Sequence, residues 1–210
     1  MAAEATSMSA AELWLELLQQ VAGRSAHEIK GALNGVAVNL EVVRSRAEHP
    51  DAPASRVASF AESASAQLEA LIRMTEALLV LARPPRGRGN VVRTLRSLGA
   101  LLAPAAEVAG KPLELHLPGD GDGDTAADAL VVRALLASAL LAAAGSPATV
   151  SLAGPEALEC TVTRHDGLPL ILEPRVAELA APAGVQVGHH GSALTLAFPP
   201  PREDPTREIV

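Results

Sequence analysis

The residues of this chain best suited to chemistry are a histidine and the polar side chains around it. His27 is followed directly by Glu28, and Arg24 and Lys30 stand three residues before and three residues after it. Residues three apart on a helix lie on the same side, so this spacing places an imidazole between two cations with a carboxylate beside it. An exposed imidazole in that setting is suited to carrying a phosphoryl group, because its nitrogen is nucleophilic and the cations offset the phosphoryl charge.

Apolar residues around this histidine predict a long amphipathic helix. They recur at spacings of four and three, which is typical of a helix packed in a bundle. The residues of this predicted stripe are Ala22, Ala26, Ile29, Leu33, Val36, Leu40 and Val43. His27 follows one of them by one position, so we expect its ring on the flank of the bundle, in water. Gly31, Ala32 and Gly35 keep the helix surface low, either for a docking partner or for close packing of a second helix.

The segment resembles the phosphoacceptor helix of bacterial sensor histidine kinases, whose pattern is His-Glu-hydrophobic-basic-Asn/Thr-Pro-Leu. The matching residues are His27, Glu28, Ile29, Lys30 and Leu33. Gly31 stands in place of Asn or Thr, and Ala32 in place of Pro.

This resemblance implies a role for each polar residue near the histidine. His27 would accept the phosphoryl group, and Glu28 would orient the ring or accept its proton. The residues that would contact the phosphoryl group or a partner are Arg24, Lys30, Gly31 and Asn34. In the family, the Asn or Thr replaced here by Gly31 positions a water that dephosphorylates the partner, so we expect weak phosphatase activity.

Composition limits the function classes. The 210 residues suffice for one large domain or two small ones, and 49% of them are hydrophobic. With one Trp, two Phe, no Tyr and a net charge of −7, the chain is not expected to bind nucleic acid. The single cysteine, Cys160, excludes an internal disulfide and is expected in a buried strand. The longest apolar run, 134–144, is shorter than a bilayer requires, and we expect a cytoplasmic protein without membrane contact.

The first 83 residues are predicted to form a helical hairpin. Helical patterns cover 9–46, with Ser9 as N-cap and Glu12 three residues later, and 54–82. Two prolines and an aspartate between them, at 49–53, predict a tight turn. A lone hairpin leaves one apolar face uncovered, so we predict that two hairpins pair into a four-helix bundle in a homodimer.

The rest of the chain is predicted to be an α/β sandwich. We expect a linker at 84–89, a second domain at 90–199 and a disordered tail at 200–210. Helices are predicted at 90–109, 128–144 and 173–180, and strands at 113–117, 148–152, 158–163, 185–187 and 193–198. The last two strands are predicted to turn at 188–191, and 120–124 is predicted to be a polar loop.

This order of elements is similar to the Bergerat-type ATP-binding domain of histidine kinases, but the ATP-binding motifs are missing. The asparagine that holds magnesium in the family falls on Ala134 or Ser138, and the adenine-reading loop appears as His-Asp-Gly-Leu-Pro at 165–169. Between Gly167 and Val185 there is no glycine-rich lid. The resemblance therefore implies a degenerate ATP-binding domain, without autophosphorylation from ATP.

A phosphoacceptor hairpin joined to such a domain resembles the dimeric histidine phosphotransferases of bacterial phosphorelays. That resemblance implies transfer of a phosphoryl group between His27 and receiver-domain aspartates of response regulators, with a hybrid sensor kinase as a further partner. We expect no cofactor of its own, since the receiver domain would supply Mg²⁺. The alternative is a non-catalytic pseudo-histidine-kinase, a dimeric scaffold that binds response regulators or kinases.

Overall fold

The computed structural model describes residues 9–48, 54–119, 123–153 and 158–201. Within them, a helical N-terminal region precedes an α/β sheet unit, which confirms the predicted fold class. The predicted turn at 49–53 and most of the predicted tail lie outside the described residues. In the described part of the chain, no helix combines the length and apolarity needed to cross a bilayer.

The N-terminal region is a hairpin of two long helices, α1 (Ala10–Ala47) and α2 (Ala54–Ala82). As predicted, Ser9 caps α1. Its hydroxyl accepts a hydrogen bond from the Glu12 amide (3.3 Å), while the Glu12 carboxylate accepts one from the Ser9 amide (2.8 Å). These bonds satisfy two backbone donors that the helix itself leaves unpaired. The hydrogen bonds from Ser9 also lower the pKa of the Glu12 carboxyl.

The α/β unit contains a five-stranded mixed sheet and a separate two-stranded ribbon. Its elements are β1 (Arg88–Asn90), α3 (Val91–Val108), β2 (Leu113–His116), β3 (Asp124–Asp128), α4 (Ala129–Ala143), β4 (Ala148–Ala153), β5 (Leu158–Arg164), α5 (Pro174–Ala177), a 3₁₀ turn (Ala181–Ala183), β6 (Gln186–His190) and β7 (Ala193–Phe198). The sheet order is β2-β4-β5-β7-β6. Only β2 and β4 run parallel, and β1 pairs antiparallel with β3.

Two local predictions were wrong. The predicted linker ends in β1, and Asp124 of the predicted polar loop opens β3, because the two segments pair with each other across a long sequence separation. So short a ribbon has no periodic sequence pattern that could reveal it. The turn of the last hairpin is also shorter than the predicted 188–191. Residues 188–190 still pair with β7, so the chain turns only at Gly191 and Ser192, and the φ of +61° at Gly191 favours glycine.

One hydrophobic core joins the hairpin to the α/β unit. The start of α1 and the end of α2 belong to the same buried cluster as α3 and α4, through Leu13, Trp14, Leu17, Val21, Leu81, Leu95 and Leu135. Trp14 lies at this junction, with the Arg133 guanidinium 5.6 Å from its ring centroid. The domain boundary at 84–89 stays a prediction, since the two parts share a core.

Cys160 lies on β5 with no exposed surface, as the sequence predicted. Burial raises the pKa of its thiol to about 12. At pH 7 only about one thiol in 100,000 would be ionised, so we expect no reaction with a thiol reagent in the folded protein. Labelling with 5,5′-dithiobis(2-nitrobenzoate) before and after denaturation measures this. Rapid labelling of the native protein would contradict the buried placement.

Candidate functional site

The His27 ring faces solvent because its neighbour two residues earlier faces inward. Ser25 has no exposed surface, and its hydroxyl donates to the Val21 carbonyl (3.1 Å). Two residues correspond to about 200° around a helix, so His27 lies on the opposite side of α1 from Ser25, where it is exposed. Within the described ranges, no hydrogen bond or ion pair engages its ring. The ring is therefore presented to solvent and to a partner.

Four of the five polar or small residues singled out by the sequence share this exposed side of α1. Each lies within about 60° of His27 around the helix axis. They are Arg24, Lys30, Gly31 and Asn34, all exposed. Glu28 differs, because it is half-buried and about 100° away. No hydrogen bond joins its carboxylate to the imidazole among the described residues, so its orienting role stays a prediction.

The glycines of α1 divide into two kinds. A Cβ on Gly35 would lie 2.5 Å from the side-chain amide of Gln67, which accepts a hydrogen bond from Asn39 (3.1 Å). Gly35 therefore serves the packing of α2 against α1. Gly23 and Gly31 stand four residues before and after His27, and a Cβ on either would contact nothing within 4 Å. Their small size is not required by contacts within this chain, and it keeps the helix surface low on both sides of His27.

A groove begins beside this surface. It lies between α1, α2, α3 and β2, encloses about 610 Å³, and is bounded on the α1 side by Glu28 and Gly31. Its walls are mainly small or apolar side chains, and its charged residues are Glu28, Arg73, Arg96 and Glu107. No local sequence pattern predicts this groove, since it depends on how α3 packs against the hairpin.

The apolar stripe predicted on α1 is not a single packed face. Toward α2 and the α/β unit, α1 buries Val21 and Ser25 and partly buries Ala32. Leu33 and Leu40 of the predicted stripe are 50% and 54% exposed. On α2, Leu68, Ile72 and Leu79 are exposed to a similar degree. The predicted stripe therefore combined two adjacent faces of α1. One of them is covered by the rest of the chain, and the other is exposed.

The two α4 positions that were compared with the asparagine of the ATP-binding domain, Ala134 and Ser138, are buried. Ser138, on α4 at a predicted asparagine position, is buried, and its hydroxyl accepts a hydrogen bond from the Glu173 amide (3.2 Å). Leu170 and Leu172, from the segment between β5 and α5, are also buried in the core. These leucines anchor that segment in the hydrophobic core, to which residues of α4 also belong.

Asp166, in the segment 165–169 that was compared with the adenine-reading loop, is held by an intrachain ion pair. Its carboxylate accepts hydrogen bonds from the Arg164 guanidinium and from the Leu168 amide (3.1 Å). The hydrogen bond from Arg164 is the main cause that lowers the pKa of this carboxyl. The neighbouring His165 ring lies 2.7 Å from the Thr149 hydroxyl. Both side chains thus already have partners within the sheet.

Comparisons with known proteins found similarity only at the level of structure. No family model and no curated protein matches the chain. A histidine kinase of Acinetobacter baumannii, AdeS, has a TM-score of 0.39 and 12% identity, over 82% of this chain and 97% of its own. A blue-light activated histidine kinase domain of Erythrobacter litoralis has a TM-score of 0.36 and 18% identity, over 89% and 93%. A histidine kinase of Burkholderia phymatum has a TM-score of 0.33 and 19% identity, over 83% and 96%. Because all three TM-scores are below 0.5, no functional residue is transferred from these structures.

Proposed function

We propose that this chain is a histidine phosphotransferase of a two-component phosphorelay, which carries a phosphoryl group on His27. The observation that carries the proposal is the exposure of His27 on a helix face kept open by Gly23 and Gly31. Arg24 and Lys30 flank the ring on that face and supply positive charge toward a phosphoryl group. A histidine with a merely structural role would need neither the low surface nor the exposure.

The proposed reaction requires only a nucleophilic imidazole and nearby positive charge from this chain. A neutral ring nitrogen of His27 attacks the phosphorus of a receiver-domain aspartyl phosphate. The P–N bond forms while the bond to the aspartate oxygen breaks, the aspartate leaves as a carboxylate, and the other ring nitrogen releases its proton. Arg24 and Lys30 would contact the phosphoryl oxygens. Mg²⁺ would be held by the receiver domain and not by this chain.

We further propose that the phosphoryl group does not come from ATP. Support comes from Ser138, which uses its hydroxyl for the Glu173 amide, and from the leucines that fix the following segment onto the core. The experiment mixes the purified protein with [γ-³²P]ATP and Mg²⁺, and in parallel with a ³²P-labelled phosphorylated receiver domain. Acid-labile label on the protein is expected only with the receiver. Label from ATP alone would contradict the proposal, as would release of free phosphate without label on His27.

The proposed active form is a homodimer. Leu33 and Leu40 are seven residues apart on α1 and about 120° or more around the helix from His27. With Leu68, Ile72 and Leu79 of α2 they form an uncovered apolar surface on the hairpin. Pairing two such surfaces would cover them and would leave His27 accessible to a receiver domain.

A binding module without chemistry is the second candidate. The groove beside Glu28 and Gly31 would let this surface hold a receiver domain or a kinase whether or not a phosphoryl group moves. The two candidates differ at His27 alone: removing its ring abolishes a phosphotransferase but leaves a scaffold working.

Gly31→Leu is expected to slow phosphoryl transfer from a receiver domain by about 10- to 100-fold, because a branched side chain one turn from His27 would obstruct the approaching partner. Folding should be unaffected, since a Cβ at this position meets no atom within 4 Å. Single-turnover transfer rates and thermal unfolding measure the two effects. Ala58→Leu adds the same bulk at an exposed position near the start of α2 and should change neither. Equal rates for the Gly31→Leu and wild-type proteins would show that no partner occupies this face.

A further inference from the structure

A small cavity at the base of the hairpin is lined by an unusual concentration of arginines. It encloses about 150 Å³ where the end of α2, the segment leading to β1, and the first turns of α3 and α4 meet. Four of its lining residues are arginines, namely Arg86, Arg88, Arg93 and Arg133, and none is acidic. This stands out in a chain with only 17 basic residues and a net charge of −7.

Arg133 forms the fixed inner wall of this cavity. Its guanidinium donates hydrogen bonds to the carbonyls of Val80 (3.1 Å), Leu81 (2.9 Å) and Arg83 (2.8 Å) at the end of α2. It also stacks over Trp14, as described above. The carbonyl oxygens at the end of α2 carry partial negative charge, which partly offsets the positive charge of the guanidinium. Burial lowers the pKa of the Arg133 guanidinium, since no carboxylate pairs with it in the described part of the chain.

Two of the neighbouring arginines, Arg86 and Arg93, form no ion pair with any residue that the structure describes. In the adjoining ribbon, Asp124 accepts a hydrogen bond from the Asn90 side-chain amide (2.8 Å), and Asp128 accepts one from the backbone amide of Leu130 (2.8 Å). These neutral donors leave both carboxylates charged, so among the described residues the four arginines of the cavity outnumber the two acids of the ribbon. The first turns of α3 and α4 add the positive ends of their dipoles.

We propose that this cavity binds a small polyvalent anion of the phosphate class, with the guanidinium groups of Arg86 and Arg93 on its oxygens. A planar guanidinium matches phosphate oxygens with paired N–H donors, and several together bind polyvalent anions better than monovalent ones. At about 30 Å³ per water, the volume equals about five waters, which suits one or two phosphoryl groups but not a whole nucleoside. The ligand is thus an inorganic phosphate or diphosphate, or the phosphate end of a nucleotide.

Such a ligand would act on the junction between the hairpin and the α/β unit. It would bridge the segment after α2 to the starts of α3 and α4, which otherwise meet through Arg133 and the shared core. Binding to the folded state alone raises the unfolding temperature by mass action. The site is separate from His27, so its test does not depend on phosphoryl transfer.

The test measures thermal unfolding and calorimetric binding of the full chain with sodium diphosphate, with chloride at matched ionic strength as the reference. At about 100 times Kd, diphosphate should raise the unfolding temperature by about 5 to 10 °C. The Arg86→Gln/Arg93→Gln double variant should bind at least about tenfold more weakly. Arg44→Gln, at an exposed arginine paired with Glu41 far along α1, should bind normally.

Four further ligands identify the source of the anion. Adenosine should not bind, and orthophosphate, AMP and ATP should bind in order of their phosphate charge if the phosphate end is what the cavity holds. Equal effects of diphosphate and chloride would overturn the assignment. So would an unchanged affinity in the double variant, or an acidic peptide that binds these arginines more tightly than diphosphate does.

Discussion

Replacing His27 with glutamine is expected to reduce phosphoryl transfer from a phosphorylated receiver domain by at least about 1,000-fold. Glutamine keeps a polar side chain of similar length but has no nucleophilic nitrogen, so the P–N bond cannot form. The fold should not change, because His27 is exposed and has no hydrogen-bond partner among the described residues. Single-turnover transfer of ³²P, followed at millisecond to minute times, measures the loss.

The matched control is His116→Gln, which removes an exposed imidazole from β2 and should leave transfer unchanged. Binding of the unphosphorylated receiver to the His27→Gln protein should remain within about threefold of wild type, because most interface residues contribute little energy individually. Full signalling output from the His27→Gln protein in a reconstituted pathway would show that the chain works as a scaffold. Label on a residue other than His27 would also refute the assignment.

The second large effect concerns the dimer. Leu33→Glu/Leu40→Glu is expected to convert the protein from a dimer to a monomer, with the mass falling from twice 21.5 kDa to 21.5 kDa. A dimer would bury the exposed half of four of these leucines, each contributing about 1 kcal/mol, and each carboxylate in their place would cost at least about 1 kcal/mol more to bury. The dimer dissociation constant should therefore rise by at least about 10,000-fold. Light scattering coupled to size-exclusion chromatography measures the mass.

The control is Val108→Glu, which places a carboxylate on α3, outside the apolar surface of the hairpin. Val108 is an aliphatic residue more exposed than Leu33 or Leu40, and its replacement should leave the dimer intact. The monomeric variant should keep its helical circular dichroism, since Leu33 and Leu40 are already half-exposed in the single chain. A wild-type protein that is monomeric at micromolar concentration would contradict the proposed four-helix bundle. A double variant that remains dimeric would place the interface elsewhere.

Most helices and strands follow from local sequence patterns. The capping pair Ser9 and Glu12 marks the start of α1, and Asn90 and Asp128 cap α3 and α4 as their side chains predict. The alternation of β4 and β5 predicts their buried faces. These features are determined by contacts within a few residues, which is why they can be read from one sequence. The β1–β3 ribbon depends on a long-range pairing of a very short segment and could not be read in this way.

The exposure of His27 could also be predicted from the sequence, but its surroundings could not. Helical periodicity predicts an exposed imidazole, although the residue that faces inward is Ser25 and not Ala26 of the predicted stripe, which is exposed. It could not separate Gly35, which makes room for Gln67, from Gly31, which contacts nothing, because only the packing of α2 distinguishes them. Nor could it show that Glu28 turns toward a groove bounded by α3 and β2.

The sequence by itself determined most of the elements and the exposure of the histidine, since each depends on residue type and local spacing. Tertiary structure alone decided three other features. The base of the hairpin shares a core with the α/β unit, Leu170 and Leu172 fill that core, and four arginines meet around one cavity. Each brings together segments far apart in the chain, and such contacts are set by the packing of whole faces, which local periodicity does not encode.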